Sequence, residues 1–279
     1  MVEAGIGTQV VQAAHGPGVV VGRPPDDPTQ ARRPGGAGAH RAGLKRHHQR
    51  GRVEAPRADG GRGLELGASV PCTHVYGNEE IIQAYPSISD SARIIGGWQI
   101  QSRASIGGNL CNSSPAADSI PSLIAEGATC RIAGPQGERE VPVAEFCTAP
   151  GKNCLDAGEF LTGLSFPAPE AGAGSRYLRF IPRNEMDIAV AGAGAWLKLD
   201  ETGETIEAAR IGLAAVAPTP LSADDAGASL AGQPATEESF AAAGELASKI
   251  ATPISDLRGP AEYRVHLTSV LVRRALLGA

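Results

Sequence analysis

Residues 104–118 read ASIGGNLCNSSPAAD, and an apolar run, SIPSLIAEG, follows at 119–127. The adjacent Gly107 and Gly108 remove Cβ atoms where a ligand would have to approach the backbone. Successive N–H groups in such a turn can form a nest that holds an anion. Ser105, Asn109, Asn112, Ser113 and Ser114 add neutral donors suited to phosphate and ribose oxygens. Asp118 is placed to accept from a hydroxyl or a ring N–H, and a helix from Asp118 to Glu126 would turn its N-terminal dipole toward the same place. The stretch fits a cradle for a diphosphate or nucleotide. Gly-Gly-Asn with serines is also the composition of an ordinary surface turn. A second glycine pair, Gly192 and Gly194 in VAGAGAWL, lacks the third glycine of a dinucleotide fingerprint and sits inside a strand pattern. Small residues there are expected to let another element pack closely.

Around this stretch the chain has 279 residues, a net charge of −5 and 42% hydrophobic residues, which suits a folded domain or two with real cores. Aromatics are only 4%, while 36 glycines and 21 prolines favour turns and small-residue packing. The overall charge gives no reason to expect nucleic-acid or membrane binding. No apolar run approaches the roughly 20 residues that span a bilayer, and MVEAGIGTQVVQAAHG lacks the basic start and long apolar stretch of a signal peptide. A cytoplasmic location is expected. Five cysteines without a C-x-x-C pair point to reduced thiols and not to a disulfide framework, zinc site or cluster. His74 and His266 are the sole histidines beyond residue 48, which gives little support to a histidine triad or metal site.

Residues 23–62 differ from the rest. They hold nine arginines and one lysine against four acids, and no aromatic precedes Tyr76. Without apolar periodicity such a segment cannot bury enough surface to offset its ordering entropy, so disorder is expected. A basic arm for RNA or phosphate is the alternative reading. Order is expected from Leu64. LELGASV reads as a strand, Thr73 caps a helix through HVYGNEEIIQAY that Pro86 ends, and SISDSARIIG forms a second helix stopped by Gly96-Gly97. ATCRIAG and EREVPVAEF read as strands. From Asp156, EFLTGLSF, RYLRFI, DIAVAGAGAWLKL and IEAARIGLAAV are strand-like, with a hairpin turn at TGE. Two helices, EESFAAAGELASKI and AEYRVHLTSVLVRRALLG, close the chain. The second half is therefore a small antiparallel sheet with two covering helices, an α+β arrangement.

ASIGGNLCNSSPAAD closely resembles the flavin loop of the FAD-binding medium subunits of molybdenum hydroxylases, the xanthine dehydrogenase and carbon monoxide dehydrogenase type. The resemblance runs from about Leu64 to the C-terminus, through ARIIGGWQIQSRASIGGN, EFLTGLSFPAP and RYLRFIPRNEMDIAVAGAGAWL. It implies a two-part FAD domain of the vanillyl-alcohol-oxidase/PCMH-like kind, with a second half-domain at 63–152 and a C-terminal α+β domain at 153–279. It also implies that Ser105, Gly107, Gly108, Asn109, Asn112 and Ser114 contact the diphosphate and that Asp118 lies near the flavin. Gly96 would stand beside the cofactor, Leu161 would touch the ring system or simply fill the core, and Arg179 would replace a lysine found in many relatives. The molybdenum cofactor and 2Fe–2S clusters would belong to a large and a small partner subunit, in a dimer of heterotrimers, and electrons would pass through FAD to NAD or another acceptor. No cysteine-rich insert for an additional cluster is found. Relatives carry an A-G-G-T-D-like loop on a first half-domain that is not found here. At 1–62 stands the Arg/Gly/Pro-rich segment, whose composition resembles a GC-rich gene read out of frame. If that segment is genuine, FAD affinity should fall, leaving as alternative a scaffold subunit without FAD.

Overall fold

The computed structural model describes residues 53–54, 63–183 and 186–279. The expectations for the basic segment lie outside the described residues, except at Val53–Glu54. That pair forms β1, antiparallel to β2 (Glu65–Gly67), so ordered chain precedes the start expected at Leu64. A short strand there satisfies backbone groups that an edge at β2 would leave unpaired.

The single helix expected after Thr73 is two helices, α1 (Cys72–Tyr76) and α2 (Glu79–Ala84). The break falls at Gly77-Asn78. Asn78 is extended, and its side chain accepts the Ile81 amide, which starts a new helix. Pro86 opens α3 (Pro86–Ala92), where its missing N–H costs no helical bond. The helices α4 (Trp98–Gln101), α5 (Ile106–Cys111) and α6 (Ser119–Ala125) follow. Next come β3 (Thr129–Gly134) and β4 (Gly137–Pro142), paired as a hairpin. EREVPVAEF is not one strand, because Pro142 ends β4 and Val143–Phe146 turns into the short α7. A small hairpin, β5 (Cys147–Ala149) with β6 (Lys152–Asn153), leads to β7 (Phe160–Ser165). The first sheet has the order β1-β2-β7-β3-β4. Its inner face, with Leu64, Leu66, Cys130, Ile132 and Leu164, packs under the helices against Ile81, Ile88, Ile106 and Leu110.

The second sheet has the order β11-β10-β9-β8, all antiparallel, from β8 (Ala173–Phe180), β9 (Ala191–Leu199), β10 (Ile206–Ala214) and β11 (Leu221–Ser222). Asp200 Oδ1 organises the turn at 200–205 by accepting from the Thr202 hydroxyl and the Glu204 and Thr205 amides. The helices α8 (Asp224–Ala228), α9 (Glu237–Lys249) and α10 (Ala261–Leu277) complete this unit. Ala191, Ala193, Ala195 and Leu197 share a core with residues of α9 and α10 such as Phe240, Leu271 and Val272. β7 is the middle strand of the first sheet and β8 the edge strand of the second, so the chain passes from one sheet to the other between Phe166 and Gly172.

The opposite face of the second sheet receives α6, whose seven residues are all buried. This is the reason for the apolar run after the quoted stretch. Close approach needs glycine: a Cβ on Gly194 would lie 2.6 Å from the Pro121 carbonyl oxygen, and one on Gly212 would lie 2.4 Å from it. A Cβ on Gly192, the other member of the second glycine pair, would lie 2.7 Å from the Tyr177 hydroxyl oxygen, so both glycines serve packing, as their place inside a strand suggested. Buried Glu126 joins the units by accepting from the Ser87 hydroxyl at 2.7 Å and the Ser175 hydroxyl at 2.6 Å. All five cysteines are free thiols.

Candidate functional site

The Gly-Gly-Asn segment is not the open loop its composition suggested. It is α5, with Ser105 at the N-cap, extended at φ −133 and ψ 155, accepting the Gly108 amide through Oγ at 3.0 Å. The Gly108 amide is therefore bound to the protein and not available as part of a nest. The two glycines do different things. A Cβ on Gly107 would strike the backbone of Ala68, with its carbonyl oxygen 2.4 Å away, so this glycine lets α5 cross the turn after β2. Gly108 is exposed, and an added Cβ would meet only the Ser105 hydroxyl oxygen at 3.1 Å. An exposed helical glycine costs about 1 kcal/mol against alanine. Its one close neighbour is the Ser105 hydroxyl that caps the helix, and beyond it this side of α5 is open.

Asn109 ties α5 to α6, with its Oδ1 accepting from the Ser119 amide at 3.2 Å and the Ser119 hydroxyl at 2.7 Å. Its amide NH2 stays available to a ligand. Asn112 is exposed at the C-cap, and Ser114 Oγ accepts the Ala116 amide at 3.3 Å while retaining its own proton to donate. Ser105, Gly108, Asn109, Asn112 and Ser114 thus form one continuous stretch of neutral groups. Ser114 also borders a largely apolar cleft of about 430 Å3 whose lining includes Pro115, Ala116, Pro150, Ile188, Ala217 and Ile254.

Asp118 does not present its carboxylate to a ligand as the sequence suggested. Oδ1 accepts the Tyr177 hydroxyl at 3.0 Å, and Oδ2 takes Arg179 Nη1 at 2.7 Å. Burial pushes the Asp118 carboxyl above the usual carboxylate range, and Arg179 and Tyr177 oppose that shift. Burial likewise raises the Tyr177 hydroxyl well above its ordinary value, so Tyr177 is a neutral donor. Arg179 is not a solvent-exposed strand residue, since its side chain is 8% exposed. Together with Gly96, Trp98, Gln101 and Tyr177 it lines a cleft of about 420 Å3. Gly96 has φ +62, a backbone conformation that favours glycine. Leu161 is buried in the first core, opposite Ile132 across β7 and β3.

Gly96 and Arg179 therefore line one cleft, Asp118 stands behind it through Tyr177 and Arg179, and the Asn109–Ser119 bonds tie the start of α6 to the α5 stretch. Among the cleft residues the sequence did not single out are Tyr177 and Trp98. Tyr177 sits two positions before Arg179 on the same strand face, a visible spacing whose partner in α6 was not. Trp98, 81% exposed at the cleft wall, follows the Gly96-Gly97 stop of the second helix, in a stretch given no element of its own.

Residues 55–169 match the family described as the FAD binding domain in molybdopterin dehydrogenase, and residues 176–279 match the CO dehydrogenase flavoprotein C-terminal domain. The carbon monoxide dehydrogenase medium chain of Afipia carboxidovorans is 33% identical over 77% of this chain and 74% of its own length. The chain belongs to this family of FAD-binding subunits. A putative xanthine dehydrogenase FAD-binding subunit of Escherichia coli is 30% identical over 76% of this chain and 73% of its own. The fold also matches a crystal structure of Cu,Mo-CO dehydrogenase, with a TM-score of 0.76 and 31% identity over 82% of this chain and 78% of that one. Quinoline 2-oxidoreductase from Pseudomonas putida 86 matches with a TM-score of 0.74 and 25% identity over 83% of this chain and 78% of that one. The two family matches meet between 169 and 176, at the link between the sheets.

The donor set fits an FAD. Neutral donors and an exposed glycine at α5 suit a diphosphate, and Arg179 supplies a cation at the cleft. Among the described residues no helix is long and apolar enough to cross a membrane.

Proposed function

We propose that this chain is the electron-transfer subunit of a molybdenum hydroxylase and holds FAD along α5 and in the adjoining cleft. Ser105, Gly107, Gly108, Asn109, Asn112 and Ser114 would line the diphosphate, with Gly107 acting through the close seat of α5 on Ala68. Gly96 and Arg179 would border the flavin, Leu161 would support the site from the first core, and Asp118 would act through Arg179. Bound FAD would supply the redox chemistry, taking electrons from an iron–sulfur subunit and handing them to NAD or another acceptor. The chain's own part is to bind, orient and tune the cofactor. The observation that carries this reading is Gly108, an exposed helical glycine whose one close neighbour is the Ser105 hydroxyl.

The partners would be a large subunit with the molybdenum cofactor and a small iron–sulfur subunit, assembled as a dimer of heterotrimers in the cytoplasm. Names such as "medium chain" among the relatives support a multi-subunit enzyme. Affinity purification of the tagged full chain from its own host tests this. Two co-purifying subunits, one with molybdenum and one with iron and sulfide, are expected. A chain recovered alone, at native expression and gentle salt, would contradict the assembly.

A further inference from the structure

Tyr177 lies buried on the face of β8 that meets the first unit. Asp118 comes from the start of α6 in that first unit, so the Tyr177–Asp118–Arg179 group spans the junction between the sheets. Each carboxylate oxygen has its own donor. An aspartate held by one guanidinium nitrogen alone can swing about that contact, and a second donor on the other oxygen fixes its plane. Space for this second donor depends on β9: a Cβ on Gly192 would lie 2.7 Å from the Tyr177 hydroxyl oxygen. Among the described residues Arg179 has Asp118 as its hydrogen-bond partner, which leaves Nε and Nη2 donors for a ligand.

Resting on the FAD reading above, we infer that Tyr177 is a positioning residue: through Asp118 it fixes the Arg179 guanidinium as the cation that faces the bound flavin nucleotide. Gly192 belongs to the same device because it leaves room for the hydroxyl. The tyrosine touches no reacting atom.

The test uses the full chain in two measurements. Without FAD, phenylglyoxal labelling of Arg179, read by peptide mass, is slow in the wild type. It rises about tenfold in Tyr177→Phe, the size expected for one hydrogen bond to a charged group. Gly192→Ala displaces the hydroxyl from the neighbouring strand and gives the same rise, which keeps the test valid if Tyr177→Phe fails to fold. With FAD, Tyr177→Phe weakens the cofactor about tenfold and shifts its midpoint potential in the same direction as Arg179→Gln. The double variant Tyr177→Phe/Arg179→Gln goes no further than Arg179→Gln alone, because both changes act through one group. An unchanged labelling rate in the variants, or additive losses in the double variant, overturns the inference. A wild-type chain that takes up no FAD counts against the FAD reading. The labelling rate then decides Tyr177's hold on Arg179 by itself.

Discussion

Substituting the two adjacent glycines separately tests whether the quoted stretch is built for a ligand. At Gly108 an alanine methyl would project from the exposed side of α5, where the nearest atom is Ser105 Oγ at 3.1 Å. Alanine in place of a helical glycine gains about 1 kcal/mol. A small displacement of the Ser105 cap offsets part of this, since losing such a cap outright costs about 1 kcal/mol. The cofactor-free Gly108→Ala chain should therefore melt within about 4 °C of the wild type. Its FAD affinity should fall at least about tenfold, or ~1.4 kcal/mol, because the methyl fills the place the diphosphate approaches. Gly107→Ala should behave differently. Its Cβ would meet the Ala68 carbonyl oxygen at 2.4 Å and Cα at 2.8 Å, both backbone atoms. Overpacking of this kind costs about 1–3 kcal/mol, so its melting temperature should drop. Differential scanning fluorimetry reports the stabilities, and flavin fluorescence titration reports the affinities. A Gly108→Ala chain with wild-type FAD affinity would refute the ligand explanation of that glycine.

Further predictions concern the junction and the thiols. Gly194→Ala drives a methyl against the Pro121 carbonyl oxygen at 2.6 Å and should cost about 1–3 kcal/mol in chemical denaturation; a neutral result would mean that α6 is not seated there. Burial raises the Glu126 carboxyl above its ordinary value of 4.5, an effect the Ser175 and Ser87 hydroxyls partly oppose. The folded chain then binds that proton more tightly than the unfolded one. The contribution is fully present below pH 4.5 and is lost as pH climbs through the folded value. Wild type should therefore lose stability relative to Glu126→Gln as pH rises from 4.5 to the raised folded value and level off beyond it, and a pH-independent difference contradicts it. Cys72, fully buried with its thiol pushed up to about 11, and fully buried Cys130, raised by the same cause, should resist Ellman's reagent until the chain unfolds. Rapid native reaction at either position would contradict their placement.

Much of this architecture was legible because local rules and tertiary packing agree. The alternation at Leu64, Leu66 and Ala68 marks the inward face of β2, and the final two helices follow their apolar spacing. The role of Gly194 could be read as close packing because a strand interior is a poor place for a nucleotide loop. Misreadings arose where one residue outweighed a longer pattern. Asn78 restarts a helix that the periodicity carried straight through, and Pro142 ends a strand whose composition continued. The site was legible as a set of residue types but not as a set of contacts. Ser105 looked like a ligand donor and is also a helix cap. Asp118 looked like a ligand acceptor and is taken by two donors from β8. The cap is a local contact three residues long, whereas the Asp118 pairings leave no trace at short sequence separation, because Tyr177 and Arg179 come from the other unit. The strand EFLTGLSF resembles its successors in composition, and only its pairing between β2 and β3 assigns it to the first sheet.

The central claim is that this chain holds FAD with the residues described. Its most direct test is the visible absorbance spectrum of the purified full chain after incubation with FAD and desalting. A retained flavin band, at close to one FAD per chain and lost in Gly108→Ala, is the predicted result. A colourless protein that is folded by circular dichroism would contradict it, leaving a subunit that keeps the family's fold without its cofactor.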